Sequence, residues 1–302
     1  MSAKPPDWSQ DYYNRDLYRL IYAAGNLETY QLEDPAKEIL AFIHFLPEQN
    51  TITSLPGMPY GGFQFHEDLG PAELDFFIQS IQQDAQERGF RRMWINQPPD
   101  CYFPGDRMMH DLLMSQDFQL RYQAINHHIK VSDAPGAFEQ SLHESERRRL
   151  IKCENAGFDL AHEQENHVTM LFRFIERCRE EQGRDLSLSE NLFLAQFRAN
   201  PDRYPLFAVW NRDELIATCI SVQVKPGVLY AFYPAYAARY HTYSPMVMLY
   251  EGLYKYCQER EIKILDLGTS MLEGGPNQSL ITFKERIGGI LTAKRSYQWQ
   301  LL

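Results

Sequence analysis

The stretch YHTYSPMVMLYEGLYKYCQEREIKILDLGTS, Tyr240 to Ser270, contains a helix and the strand that follows it. Ser244 followed by Pro245 is a start signal: a serine hydroxyl can cap a free backbone N–H, and proline at the first helical position has no N–H to lose. Met246, Leu249, Tyr250, Leu253, Tyr254 and Cys257 recur at helical spacing and give one apolar face, and IKILDLG then reads as a short strand. With GVLYAFYPAY upstream as another strand, the order is strand, helix, strand. The first helical turn carries no carboxylate before Glu251, while Arg239 and His241 stand just ahead of it. A helix N-terminus bears about half a positive charge and unpaired N–H groups, which suits a phosphate or a developing oxyanion. The same feature also reads as an ordinary helix end that binds water.

Working outward, 302 residues exceed a typical domain, and two domains are predicted. A composition of 44% hydrophobic and 23% charged residues is that of a globular protein, and no segment is apolar for the roughly 18 residues a membrane span requires. The opening MSAKPPDWSQDYYNRD has no apolar core of a secretory leader, so a cytoplasmic protein is expected, without membrane insertion. Cys101, Cys153, Cys178, Cys219 and Cys257 are scattered, with no C-x-x-C pair, and read as free thiols. The net charge of -10 opposes general adhesion to nucleic acid or anionic membrane and leaves room for a local basic patch.

The chain reads as two successive α/β units. In the first, LETYQL and EILAFIHFL read as strands, Pro71 to Gly89 as a helix with Leu74, Phe77, Ile78 and Ile81 on one stripe, RRMWINQ as a strand, MMHDLLMSQDF as a short helix and YQAINHHIKV as a strand. The breaker-rich SDAPG, Ser132 to Gly136, predicts the boundary, giving domains 1–136 and 137–302. In the second, Phe138 to Ala156 reads as one helix stopped by Gly157. FDLAHEQ is a strand, two helices follow, and three strands join at Asn211 to Glu214 and at Pro226-Gly227. A mixed central sheet flanked by helices is expected in each half, α/β in class.

The segments YSPMVMLYEGLYKYCQEREIKILDLG and ITFKERIGG, together with RRRLIKCENAGF and SLPGMPYGGF, resemble the tandem GNAT-like domains of FemABX-like acyltransferases. The resemblance implies two GNAT-like domains. It also implies an acyl donor lying where two adjacent parallel strands part, GVLYAFYPAY and KILDLG, with the helix from Ser244 aimed at it. Arg239, Tyr230, Tyr233, Tyr243, Ser244 and Met246 are the donor-side candidates. The coenzyme A loop of that superfamily is Q/R-x-x-G-x-G/A, whereas this chain has Arg-Tyr-His-Thr-Tyr-Ser-Pro from Arg239 to Pro245. FemABX-like proteins share that departure and use aminoacyl-tRNA, so acyl-CoA and aminoacyl-tRNA both stand as donors and tRNA as an implied partner. No tightly bound cofactor is expected.

Other residues are read against their plainer roles. Lys284, in FKERIGG, matches a family lysine that lies near the transferred group, where an ammonium stabilises carbonyl-oxygen charge; the plainer reading is a surface lysine. Asp266 could orient an amine or take its proton, or simply cap a turn before Gly268. Arg147, Arg148 and Lys152 form a basic run that either meets phosphate or is a solvated, salt-bridged face. Tyr60 and Arg286 complete the substrate-side candidates. His127-His128 has no partner ligands at metal spacing, so no metal is expected. The expected function is N-acyl or aminoacyl transfer to a small-molecule or peptide primary amine; a catalytically silent GNAT-like binding module is the alternative.

Overall fold

The computed structural model describes residues 6, 8–21, 27–102 and 106–301, and the first five residues of the opening segment lie outside them. They form two compact units: residues 1–125 with 292–302, and residues 126–291.

The first unit contains the short helix α1 (Tyr18–Ile21), strands β1 (Glu28–Glu33), β2 (Ile39–Glu48), β3 (Thr51–Ser54) and β4 (Gln64–Phe65), helix α2 (Pro71–Glu87), strand β5 (Arg92–Pro99) and helix α3 (Asp106–Ser115). Helix α2 starts with Pro71 at its first position and buries Leu74, Phe77, Ile78 and Ile81, the stripe its spacing predicts. These side chains pack on Ile43, Phe45, Ile52, Met93 and Ile95 of the sheet. At about 1.5–3 kcal/mol for each large apolar side chain buried, such a face outweighs helix propensity in holding α2.

Strand β6 (Gln119–Lys130) runs across the division, so its last five residues belong to the second unit. The second unit continues with α4 (Ala137–Ser141), α5 (Glu144–Asn155), β7 (Asp159–Glu163), α6 (Val168–Glu180), α7 (Glu190–Ala199), β8 (Leu206–Asn211), β9 (Glu214–Lys225) and β10 (Val228–Tyr236). Helix α8 (Met246–Glu259), strand β11 (Ile264–Thr269), the small hairpin β12 (Met271–Leu272) and β13 (Gly275–Pro276), and helix α9 (Gln278–Arg286) complete it. Its strands lie in the order β6, β11, β10, β9, β8, β7. Neighbours there are antiparallel except β10 and β11, whose connection is α8. Leu249, Leu253 and Cys257 of α8 are fully buried against Leu229 and Leu265.

Three differences from the sequence expectations have physical reasons. The single helix expected from Phe138 to Ala156 is two, because Leu142 is extended (φ -66, ψ 133) and the His143 ring caps the N–H of Ser145. The division falls at Asn126 rather than at 136/137, because the end of β6 pairs with β11 of the second unit. The last strand, β14 (Ile290–Gln300), gives residues from Thr292 onward to the first unit, where Ser296 to Gln300 pair with Arg92 to Asn96 of β5 and Tyr297 and Trp299 enter the core.

Candidate active site at the parting of two parallel strands

The pairing of β10 with β11 runs Val228–Ile264, Leu229–Leu265 and Tyr230–Asp266, and ends there, although β10 continues to Tyr236 and β11 to Thr269. Both strands are irregular at this level: β10 shifts register against β9 between Tyr230 and Tyr233, and β11 shifts against β6 between Asp266 and Gly268. Bulges bend strands and raise their twist, which opens a fork between the two. Gly268 has φ +74, and a Cβ there would lie 3.1 Å from the Tyr230 ring. Only glycine admits both that backbone and that ring without strain.

The polar groups at the fork are enclosed. Asp266 is 1% exposed, and its Oδ1 accepts from Asn126 Nδ2 at 2.7 Å and from the Gly268 N–H at 2.9 Å. Lys284, on α9, is 2% exposed and donates from Nζ to the carbonyls of Gly268 at 2.7 Å and Thr269 at 3.0 Å. Burial lowers its pKa to about 7, against the opposing pull of Asp266. Its surface-lysine reading is therefore wrong: α9 carries it inward because Ile281, Lys284 and Ile287 lie on one side of the helix end. Burial also raises the phenols of Tyr230 and Tyr250, and the charge of Asp266 acts on both in the same direction. Tyr250, from α8, thus belongs to the same neighbourhood, as does Arg179 of α6, which opposes the rise in each.

Tyr233 donates or accepts at 2.6 Å with Ser187 and packs on Phe172 and Phe193, a wall of the fork on the α6–α7 side. On the α8 side, Ser244 does not cap the helix as its sequence suggests. It sits at φ +55 with no side-chain cap bond, and the helix starts at Met246 behind Pro245. The loop before it is filled rather than open. Tyr243 lies against Phe158 and Tyr240, and Lys152 rests 4.3 Å over the Tyr243 ring while donating to the Thr242 carbonyl at 3.1 Å. Loop amides are turned inward, Tyr243 N–H to Tyr240 O at 3.0 Å and Ser244 N–H to Tyr240 O at 3.2 Å. Met246 is 8% exposed and part of the core.

The remaining candidates divide. Arg239 is ion-paired with Glu214 and lines, with Arg173 and Arg177, a separate surface groove of about 530 Å³. Arg147 donates to the carbonyls of Glu139, Gln140 and Leu142, tying α4 to α5, so its charge serves the helix junction. Arg148 is exposed and loosely paired with Glu144 at 3.7 Å, the solvated face its spacing predicts. Arg286 is exposed on α9. Tyr60 belongs to the first unit, where it is buried and donates to Asp11 Oδ2 at 2.6 Å. The sequence brings forward neither Asn126, Tyr250 nor Arg179; a buried asparagine beside a histidine pair in β6 carries no spacing that marks it. Among the described residues no group of His, Cys, Asp and Glu is arranged to hold a metal ion, and no helix is long and apolar enough to cross a membrane.

Residues 140–278 match the family model described as an acetyltransferase (GNAT) domain. The chain is also similar in fold to solved structures across most of its length. FemX matches at a TM-score of 0.71 with 12% identity, over 98% of this chain and 94% of that one. The C-terminal domain of a putative lysylphosphatidylglycerol synthetase from Agrobacterium fabrum matches at 0.61 with 11% identity, over 96% and 87%. A tandem GNAT protein from the clavulanic acid biosynthesis pathway matches at 0.50 with 10% identity, over 94% and 86%. No curated protein sequence matches. The chain therefore has a FemABX-like GNAT fold, and both strands of the parted β10–β11 pair lie within the matched residues 140–278.

Proposed function

We propose that the fork transfers an aminoacyl group from an activated ester, carried by tRNA, to a primary amine of a small molecule or peptide. The observation that carries the choice of donor is the filled loop from Arg239 to Pro245. Its Tyr243 and Ser244 amides are hydrogen-bonded within the loop and the Tyr243 ring packs on Phe158 and Tyr240, so these amides are not turned outward as a glycine loop turns its own toward a pyrophosphate.

Transfer then needs no covalent enzyme intermediate. The amine nitrogen attacks the ester carbonyl, the nitrogen sheds a proton, and the ester C–O bond breaks as the leaving oxygen regains one. The protein supplies approach geometry and charge stabilisation. Lys284, with a pKa of about 7, is partly an ammonium at neutral pH and stabilises the carbonyl oxygen as it becomes negative. Asp266, held by Asn126 and the Gly268 N–H, orients the incoming amine. Arg148, Lys152 and Arg286 supply positive charge to a polyanionic donor on a chain of net charge -10.

The test is a single-turnover assay with radiolabelled aminoacyl-tRNA and with acetyl-CoA, each offered to a panel of primary amines. The expected result is amide formation from the tRNA ester alone. Comparable turnover of acetyl-CoA overturns the donor assignment, and turnover of neither overturns the proposal.

A further inference from the structure

Helix α6 runs out in the sequence RCREEQGR, Arg177 to Arg184. Gly183, at φ +66, turns the chain back there: its N–H bonds Glu180 O at 2.8 Å, and the Arg184 N–H bonds Arg179 O at 3.0 Å. This crossed pair of bonds is a glycine helix stop, and it returns Arg184 to the level of Arg179. The Arg179 side chain is half-buried and reaches β10, where Nη2 donates to the Pro234 carbonyl at 3.2 Å, beyond Tyr230, the last residue of β10 to pair with β11.

A guanidinium has five N–H donors, and this bond takes one of them. Among the described residues no carboxylate is ion-paired with Arg179 or Arg184; Glu180, Glu181 and Asp185, their neighbours in sequence, are exposed. Burial lowers the pKa of Arg179, and the like charge of Arg184 lowers it further, while Tyr250, Tyr233 and Cys178 act the other way. A cation at a helix C-terminus is matched by the helix dipole while water bathes it. Arg179 instead leaves the helix end for the strand, beside a second cation, and a charge withdrawn from water is ordinarily met by an opposite one.

The place is the α6–α7 side of the fork. Tyr233, its wall there, is tied to the α6–α7 turn by the 2.6 Å bond with Ser187. The core that α8 seals contains no residue of α6 or α7, so this side is distinct from the α8 loop at which the donor is placed. We propose that Arg179, with Arg184 beside it, receives a carboxylate of the acceptor, so that the acceptor is an amino acid or a peptide whose amine enters from the α6–α7 side. The proposal deepens the proposed function by naming the acceptor class, and rests on it. A carboxylate fits the planar N–H fork with two parallel bonds and supplies the negative charge that both arginines lack.

The experiment offers acceptors in pairs that differ in this group alone, glycylglycine with glycylglycinamide and L-lysine with L-lysinamide, in the single-turnover assay. In the parent the acid is preferred over the amide by about 10-fold to 100-fold in kcat/KM, the difference lying in KM, as a charge-assisted bond requires. Arg179→Gln brings the ratio close to one and Arg179→Lys keeps part of it; because the ratio is internal to each variant, a loss of stability does not imitate the result. A second measurement needs no transfer: in full-length protein with labelled arginine, the Arg179 Nε–H signal, assigned by its loss in Arg179→Gln, shifts on titration with the two acids and not with their amides or inorganic phosphate. A ratio near one in the parent, an unchanged ratio in Arg179→Gln, or an Arg179 signal that moves with inorganic phosphate and with neither acid overturns the proposal. A carboxylate-dependent shift without transfer from any donor upholds the site and removes the proposed function. Transfer that ignores the carboxylate does the reverse.

Discussion

Tyr230 and Asp266 are the last residues of β10 and β11 to stand opposite one another. Beyond them the two strands part, and within a few residues on β11 come Gly268, which yields space to the Tyr230 ring, and the two carbonyls that hold Lys284. The candidate site of the second unit is therefore arranged around the end of one parallel pairing.

Lys284→Met keeps the volume of the stem and removes the amine. Two buried carbonyls lose a donor, so stability falls by about 1–3 kcal/mol in urea unfolding. Single-turnover transfer falls by about 10-fold to 1000-fold with donor binding little changed, as expected for a group acting mainly in the transition state. An unchanged rate in the folded variant takes Lys284 out of the reaction.

Lys284 also sets a pH dependence of stability. Its folded pKa, about 7, lies below its ordinary value of 10.5, so between these the unfolded chain holds a proton that the native protein lacks. Stability from this group therefore rises as pH rises from about 7 toward 10.5, and the full penalty applies below 7. Subtracting the Lys284→Met stability curve from that of the parent isolates this slope. A flat difference across that window means the amine is solvated in the native state.

The start of α8 is best probed from the exposed Thr242, since Met246 is core and a charge there would test packing instead. Thr242→Glu places a carboxylate beside Lys152 and ahead of the helix. Thermal stability is expected to hold, while affinity for aminoacyl-tRNA falls and becomes less salt-dependent. Equal affinity in mutant and parent would make this helix end a structural terminus only.

Gly268→Ala and Gly157→Ala make an instructive pair. Both glycines have positive φ, +74 and +71, so both substitutions carry the backbone strain of about 1–2 kcal/mol. At Gly157 the added methyl meets open space, whereas at Gly268 it presses on Tyr230. Gly268→Ala is expected to be the more destabilising of the two and alone to impair transfer. Equal melting temperatures would mean that the Tyr230 ring moves aside freely.

Much of this was legible in the sequence because local rules agree with the tertiary fold. The apolar stripe of α8 and the Pro226-Gly227 turn mark the strand, helix and strand that bracket the fork. Lys284 was brought forward by the family resemblance of FKERIGG and Asp266 by its place at the strand end in LDLG, and neither reading foresaw that both would be buried. What stayed hidden depends on long-range pairing. Nothing local says that Asn126 will bond Asp266, that the ring of His127 will be sealed opposite Gly268, or that β14 will return to β5. The positive φ of Ser244 was likewise invisible, because a serine before proline looks like a cap whichever way its backbone turns.

The membership of β14 in the first unit has a consequence for how the protein is made. Synthesis runs from the N-terminus, and domains tend to fold as they emerge. Here the residues from Thr292 onward, including the buried Tyr297 and Trp299, reach the first unit only after all of residues 126–291 have been synthesised. The unit encoded first is thus the last to be complete. Until then its β5 edge stands without the partner that covers it, an open strand edge on the nascent first unit.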